Sequence, residues 1–200
     1  LQEYGCHNIN WVSPTHQVPQ LVRALAVAIE HGLRIPIVYN TNGYDSVEVL
    51  TLLDGVVDIY MPDLKYADAA TGKELSGVEE YPRHARAALT EMFRQVGETW
   101  QLGADGELQR GLLVRMLVLP GDRAGIEDNL RWIAEALSPR VTISLLAQYR
   151  PANRVRGHRY PNLQHSISGR DWSSAVAALR LHMEGDRHHV QGSVRLLLEL

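Results

Sequence analysis

Five times along this chain an apolar, β-branched run gives way to a helical pattern, and that alternation constrains the fold more than any other feature. Strands separated by helices pair in parallel, through βαβ crossovers. The first predicted strand is Ile9-Asn10-Trp11-Val12, ending at Ser13-Pro14-Thr15-His16; Leu21, Leu25 and Ile29 then recur at helical spacing until Gly32. The second, Ile35-Pro36-Ile37-Val38-Tyr39, runs into Asn40-Thr41-Asn42-Gly43, and its helix carries Val47, Leu50 and Leu53 before Gly55. The third, Val56-Val57-Asp58-Ile59-Tyr60, runs into Met61-Pro62-Asp63-Leu64-Lys65.

Two helical pieces are expected next. Thr71-Gly72-Lys73-Glu74 has the spacing of a capping box. A longer helix begins near Pro82 and places Ala85, Leu89, Met92 and Val96 on one face. Ala104-Asp105-Gly106 predicts a tight hairpin turn. The fourth strand, residues 112–119, closes at Pro120-Gly121, and its helix shows Ile126, Leu130, Ile133 and Leu137 before Pro139. The fifth, residues 141–146, runs into Ala147-Gln148-Tyr149-Arg150-Pro151. A basic loop with Arg154, Arg156, His158 and Arg159 follows, then a helix starting near Ser168 with Asp171 three residues on. The expected organisation is one barrel-like domain over residues 1–184 and a tail over 185–200.

Composition narrows the function classes. A formal charge of -3 gives no reason to expect nucleic acid or an anionic membrane as partner. The single cysteine, Cys6, excludes an internal disulfide framework and any all-cysteine metal site made by this chain alone. It reads as a small buried hydrophobe. No apolar run approaches the roughly 20 residues of a membrane span, and the start lacks the pattern of a signal peptide. The expected location is the cytoplasm. The chain begins at Leu1, not Met, which leaves open that it is a fragment.

In parallel α/β folds, ligands sit at the carboxyl ends of the strands. Polar residues gather there: Ser13, Thr15 and His16; Asn40, Thr41 and Asn42; Asp63 and Lys65; Gln148, Tyr149 and Arg150. Ser13 and Thr15 equally suit helix capping. Asp63 and Lys65, two residues apart on a strand, point the same way and can share a cleft with residues 41–43. Arg115, inside an apolar strand, needs an anionic partner or a ligand, because an unpaired buried guanidinium costs several kcal/mol. His16 is a candidate base or ligand, or a structural histidine. His188 and His189 read as exposed. The phosphate-binding glycine loops, the Gly-x-Ser-x-Gly elbow and His-Glu-x-x-His are all missing, which disfavours Rossmann, P-loop, serine-hydrolase and zincin readings.

The order of strand-end motifs resembles the radical S-adenosylmethionine (SAM) activases of glycyl-radical enzymes, the pyruvate formate-lyase activating-enzyme type. The resemblance rests on residues 5–16, on Tyr39-Asn40-Thr41-Asn42-Gly43-Tyr44-Asp45, on residues 58–66, and on Arg115 in a strand ending Val118-Leu119-Pro120-Gly121. It covers roughly residues 5–151. It implies a partial, TIM-like (β/α) barrel of parallel strands, here lacking the first βα unit. It further implies SAM and a [4Fe–4S] cluster as cofactors, a glycyl-radical enzyme as protein substrate, and flavodoxin or ferredoxin as electron donor. Residues 13–16 match positions at the SAM methionyl amine. Asn40, Thr41, Met61 and Asp63 match positions around SAM and a monovalent cation, with Asn40 replacing an aspartate. Lys65 matches a SAM-contacting lysine, Arg115 belongs to the same set, and Gln148 and Tyr149 match a region near the adenosine.

The family's Cys-x-x-x-Cys-x-x-Cys is missing, so no metal ligands are expected in this chain and the cluster is not expected on it. Two classes of function follow. One is the C-terminal portion of a radical SAM enzyme, inactive alone, whose whole protein abstracts hydrogen from a glycyl or other unactivated C–H. The other is a cluster-free (β/α) protein that binds an anionic small molecule through Lys65, Arg115 and Arg150.

Overall fold

A computed structural model describes residues 1–156, 160–185 and 189–191. It is a mixed α/β protein; among the described residues the strands form a mostly parallel sheet of order β1-β2-β3-β5-β6-β7, to which β4 adds antiparallel to β5. The chain divides into two compact units, Leu1–Asp63 with Arg83–Val114, and Leu64–Pro82 with Arg115–Leu200.

The first unit holds β1 (Ile9–Val12), α1 (Val18–Glu30), β2 (Ile37–Thr41), α2 (Val47–Leu52) and β3 (Ile59–Pro62). Most of α4 (Tyr81–Val96), the short β4 (Gln101–Leu102) and the start of β5 (Leu108–Leu117) complete it. Register sets two rows across these strands. Trp11, Tyr39, Tyr60 and Leu112 align, and all four are buried. Helix α4 supports that face: Ala85, Leu89 and Met92 are 0% exposed, and the Tyr60 hydroxyl donates to Gln95 Oε1 at 2.6 Å. Burying an aliphatic side chain of that size contributes about 1.5–3 kcal/mol. The neighbouring row is Val12, Asn40 and Met61, on the opposite face; Val12 is 67% exposed and the other two are half-buried. Glycine is required at 111, where φ is +153° and a Cβ would lie 2.6 Å from Trp100 Cδ1.

The second unit holds α3 (Ala69–Ser76), the end of β5, α5 (Ile126–Ala136), β6 (Thr142–Leu146), α6 (Gly169–His182) and β7 (His189–Gln191). Within it the Leu64 N–H donates to the Arg115 carbonyl at 2.9 Å, and the Val118 N–H to the Leu146 carbonyl at 3.0 Å. Leu130 and Ile133 of α5 and Trp172 and Leu179 of α6 are buried. The helix expected to start near Ser168 does so, and Ser168 and Asp171 form a full capping box there.

Several boundaries differ from the sequence reading. Strands β2 and β3 each extend two residues beyond their expected ends, to Thr41 and Pro62, because the Tyr39–Tyr60, Asn40–Met61 and Thr41–Pro62 pairings carry them on. The α3 start is also corrected: Asp68, not Thr71, is the cap, its carboxylate accepting the Thr71 N–H at 2.8 Å. An aspartate in an extended conformation immediately before the first good helix former, Ala69, outcompetes a threonine already inside the turn. β7 has no counterpart in the sequence reading; it pairs with β6 in parallel, Ser144 with His189 through Leu146 with Gln191. His158, Arg159 and His188 lie outside the described residues, as do the side chains of Arg154, Arg156 and His189.

Candidate functional site

In the first unit, the ends of β1 and β2 are joined by side chains. The last ladder bond between them runs from the Ser13 N–H to the Asn40 carbonyl, 2.8 Å. Beyond it Ser13 takes a left-handed conformation (φ 51°, ψ 51°), and residues 14–16 form a single 3-10 turn. A serine holds that backbone only where its surroundings over-determine it. Pro14 is buried, whereas Ser13, Thr15 and His16 are exposed.

The turn is tied through Thr15 to Asp45, which is 5% exposed. Its Oδ1 accepts from the Thr15 hydroxyl at 2.6 Å and the Tyr39 hydroxyl at 3.1 Å; its Oδ2 accepts from the Thr41 hydroxyl at 2.5 Å. Thr41 Oγ1 in turn accepts the Gly43 N–H at 3.2 Å, and Asn42 Oδ1 accepts the Tyr44 N–H at 2.8 Å. Burial first, and the Asp45 carboxylate second, hold the Tyr39 phenol well above its ordinary range, so it remains a donor at any physiological pH. A carboxylate offers about four lone-pair sites; three hydroxyls occupy most of them, which suits Asp45 to holding loops and not to accepting a substrate's proton. Thr41 is 1% exposed and its hydroxyl is engaged as both donor and acceptor.

The end of β3 adjoins that of β2: the Asp63 N–H donates to the Thr41 carbonyl at 2.9 Å. Asn40, Met61 and Asp63 are half-buried. The structure therefore brings Ser13, Thr15, Asn40, Thr41 and Asp63 to neighbouring strand ends of one unit. Asp45 closes the Tyr39–Asp45 motif quoted above but was not among the candidate site residues. Its place four residues after Thr41, within a loop that follows a strand, is a signal for it.

The remaining expected residues belong to the second unit. The Lys65 N–H donates to the Tyr81 hydroxyl at 3.0 Å, and Tyr81 meets the Tyr66 ring edge-on at a centroid distance of 5.4 Å. Arg115 is half-buried on β5, while Gln148 and Arg150 are exposed. The Tyr149 hydroxyl donates to the Leu163 carbonyl at 2.7 Å, and burial raises its pKa. Tyr149 also lines a cavity of about 1000 Å³ whose walls include Tyr66, Tyr160, Leu117, Leu119 and Leu163. The Tyr66 hydroxyl is tied to Ser76 at 2.8 Å and the Tyr160 hydroxyl to the Glu74 carbonyl at 3.1 Å, so the rings stand as fixed walls.

Cofactor chemistry can be weighed against this donor set. Cys6 is a half-buried free thiol and the sequence contains no second cysteine, so the residues present do not fit a three-thiolate cluster site. Among the described residues no group of three or more His, Cys, Asp or Glu side chains is placed to hold a metal ion. No described helix is long and apolar enough to cross a membrane.

No protein-family model matches the sequence. The chain is similar to an uncharacterized protein of Methanocaldococcus jannaschii, at 25% identity over 171 residues. The match takes in 84% of this chain but 45% of the archaeal protein, so the chain spans less than half the length of the curated relative it matches.

Proposed function

We propose that this chain is the C-terminal portion of a cytoplasmic radical SAM enzyme of the glycyl-radical activase type, a partial (β/α) barrel lacking its first βα unit. The observation that carries the reading is the order of strand-end motifs. Thr41-Asn42-Gly43 and Asp63 follow successive strands of a mostly parallel sheet, and their backbones meet at the Asp63–Thr41 hydrogen bond. Arg115 then occurs in the next parallel strand, β5, in sequence order. In that reading the whole protein reductively cleaves SAM and abstracts hydrogen from a glycyl residue or another unactivated C–H. A bound cluster and SAM supply the radical chemistry, and the protein supplies binding and exclusion of water. The extra length of the archaeal relative is consistent with further sequence in such proteins.

Extending the reading frame upstream tests the proposal most cheaply, with a Cys-x-x-x-Cys-x-x-Cys as the expected result. The longer protein, reconstituted anaerobically, should bind four irons and release 5′-deoxyadenosine from SAM. This chain alone should bind no stoichiometric cluster, since it has one thiol. A longer frame without that motif would sink the reading and favour the cluster-free, anion-binding alternative.

A further inference from the structure

We infer that Asp45 is the positioning residue of the β1 and β2 strand ends, fixing the turn at 13–16 and the loop at 41–44 as one body. What binds on that body rests on the SAM reading above; that the body exists does not. The Ser13 N–H to Asn40 carbonyl bond ties the backbones where the two segments leave their strands. Three hydroxyls from three places converge on one buried carboxylate: Thr15 from the β1 turn, Tyr39 from inside β2, and Thr41 from its end. Thr15 and Asp45 are 30 residues apart in sequence, so their bond ties one loop to the other. All three partners are neutral, and the carboxylate is 5% exposed, so it acts through the residues it holds and not on a ligand. The left-handed Ser13 persists in this setting: released from Thr15, the turn has fewer constraints to keep it there.

The test compares the unaltered chain with Asp45→Ala, Asp45→Asn and Thr15→Val, by amide hydrogen exchange resolved to peptides and by calorimetric titration with SAM. Asp45→Ala should speed exchange about tenfold or more at 13–17 and 41–44, and leave α5 unchanged; this is the local opening that lost constraints produce. Asp45→Asn keeps an acceptor and should restore part of the protection. SAM affinity should fall about tenfold with Asp45→Ala and less with Asp45→Asn, a tenfold loss corresponding to about 1.4 kcal/mol. Uniform acceleration along the whole chain, or loosening at 41–44 with 13–17 unaffected, overturns the inference. So does unaltered SAM affinity once the loops have loosened. If Asp45→Ala does not fold, Thr15→Val decides: this exposed threonine should free 13–17 alone. An unaltered chain that fails to bind SAM removes the functional reading, and the exchange pattern alone then decides the positioning role.

Discussion

The end of β2 and the end of β6 solve the same problem in different ways. At the end of β2, in the first unit, the Thr15, Tyr39 and Thr41 hydroxyls all bond to the Asp45 carboxylate. After β6, in the second unit, Tyr149 with Tyr66 and Tyr160 borders about 1000 Å³, each hydroxyl bonded to a neighbour. The first arrangement spends polar groups on shape, and the second spends them on keeping space open. Polar residues at a strand end are thus not by themselves a ligand site: where they bond to each other they are scaffold.

If that contrast is right, removing the hub should cost far more than removing an anchor. Asp45→Ala strands three hydroxyls, two of them buried, and should destabilise the chain by about 3 kcal/mol or more, since each bond to a charged acceptor is worth roughly 1.5–3 and the three are not additive. Tyr149→Phe removes one bond at a half-buried site and should cost about 1 kcal/mol. Urea unfolding of both variants checks the ordering. Equal costs would erase the distinction between the two strand ends.

A smaller effect sharpens the second unit. Gly125, the N-cap of α5, has φ +65°, and a Cβ there would lie 2.6 Å from the Ala67 methyl, which has no torsion by which to retreat. Gly125→Ala should cost about 2 kcal/mol or more, from overpacking and left-handed strain together. A midpoint unchanged in urea would show that the 67 and 125 segments yield more easily than the packing suggests.

These residues also show what the sequence made legible. The strand and helix alternation could be read because Leu, Ile and Val recur with a clear period and Gly32 and Gly55 stop the helices. The ends of β2 and β3 could not, because a strand buried on a parallel sheet is apolar throughout and its last residue is fixed by its partner's register. The helix start near Ser168 could be read as a local pattern. Asp45 could not, since its three partners come from β2 and from a turn 30 residues away, and its place four residues after Thr41 does not by itself name them. Which strand-end residues are scaffold is a matter of side-chain partners, which sequence spacing does not carry.

Acid should separate the helix caps next, with an effect of about 1 kcal/mol per cap. Asp68 sits below the ordinary carboxylate range because the Thr71 backbone N–H bonds it. For Asp171 burial opposes ionisation, but bonds from Ser168 and the Gly121 N–H outweigh it and the pKa is lowered. A depressed folded pKa means that this stability is fully present above the unfolded value, near 3.9, and is lost as pH falls through the folded one. Asp122 has the opposite sign: burial raises its pKa, helped by Asp128, Glu127 and Asp171, so lowering the pH relieves a cost there. The acid limb of a stability–pH curve should therefore flatten in Asp171→Asn and steepen in Asp122→Asn. Curves that superimpose would mean these caps are not what acid titrates.

The smallest change in folding energy belongs to the sheet edge, although its solution behaviour should be plain to see. Among the described residues β1 pairs with β2 alone, through bonds such as Ile9 N–H to the Pro36 carbonyl and Ser13 N–H to the Asn40 carbonyl. Successive amides along a strand point to opposite sides, so the Asn10 and Val12 amides face away from β2. The strand Ile9–Val12 carries no charge, proline or bulge, the usual guards of an edge, and Val12 is 67% exposed. The isolated chain should self-associate, in a concentration-dependent way, through this edge. Val12→Lys should shift stability by no more than about 0.5 kcal/mol, as exposed substitutions usually do. The same change places a charge where a second strand would pair, and light scattering should then report a monomer. An unaltered chain that is already monodisperse and monomeric would show that this edge is guarded by something other than side-chain chemistry.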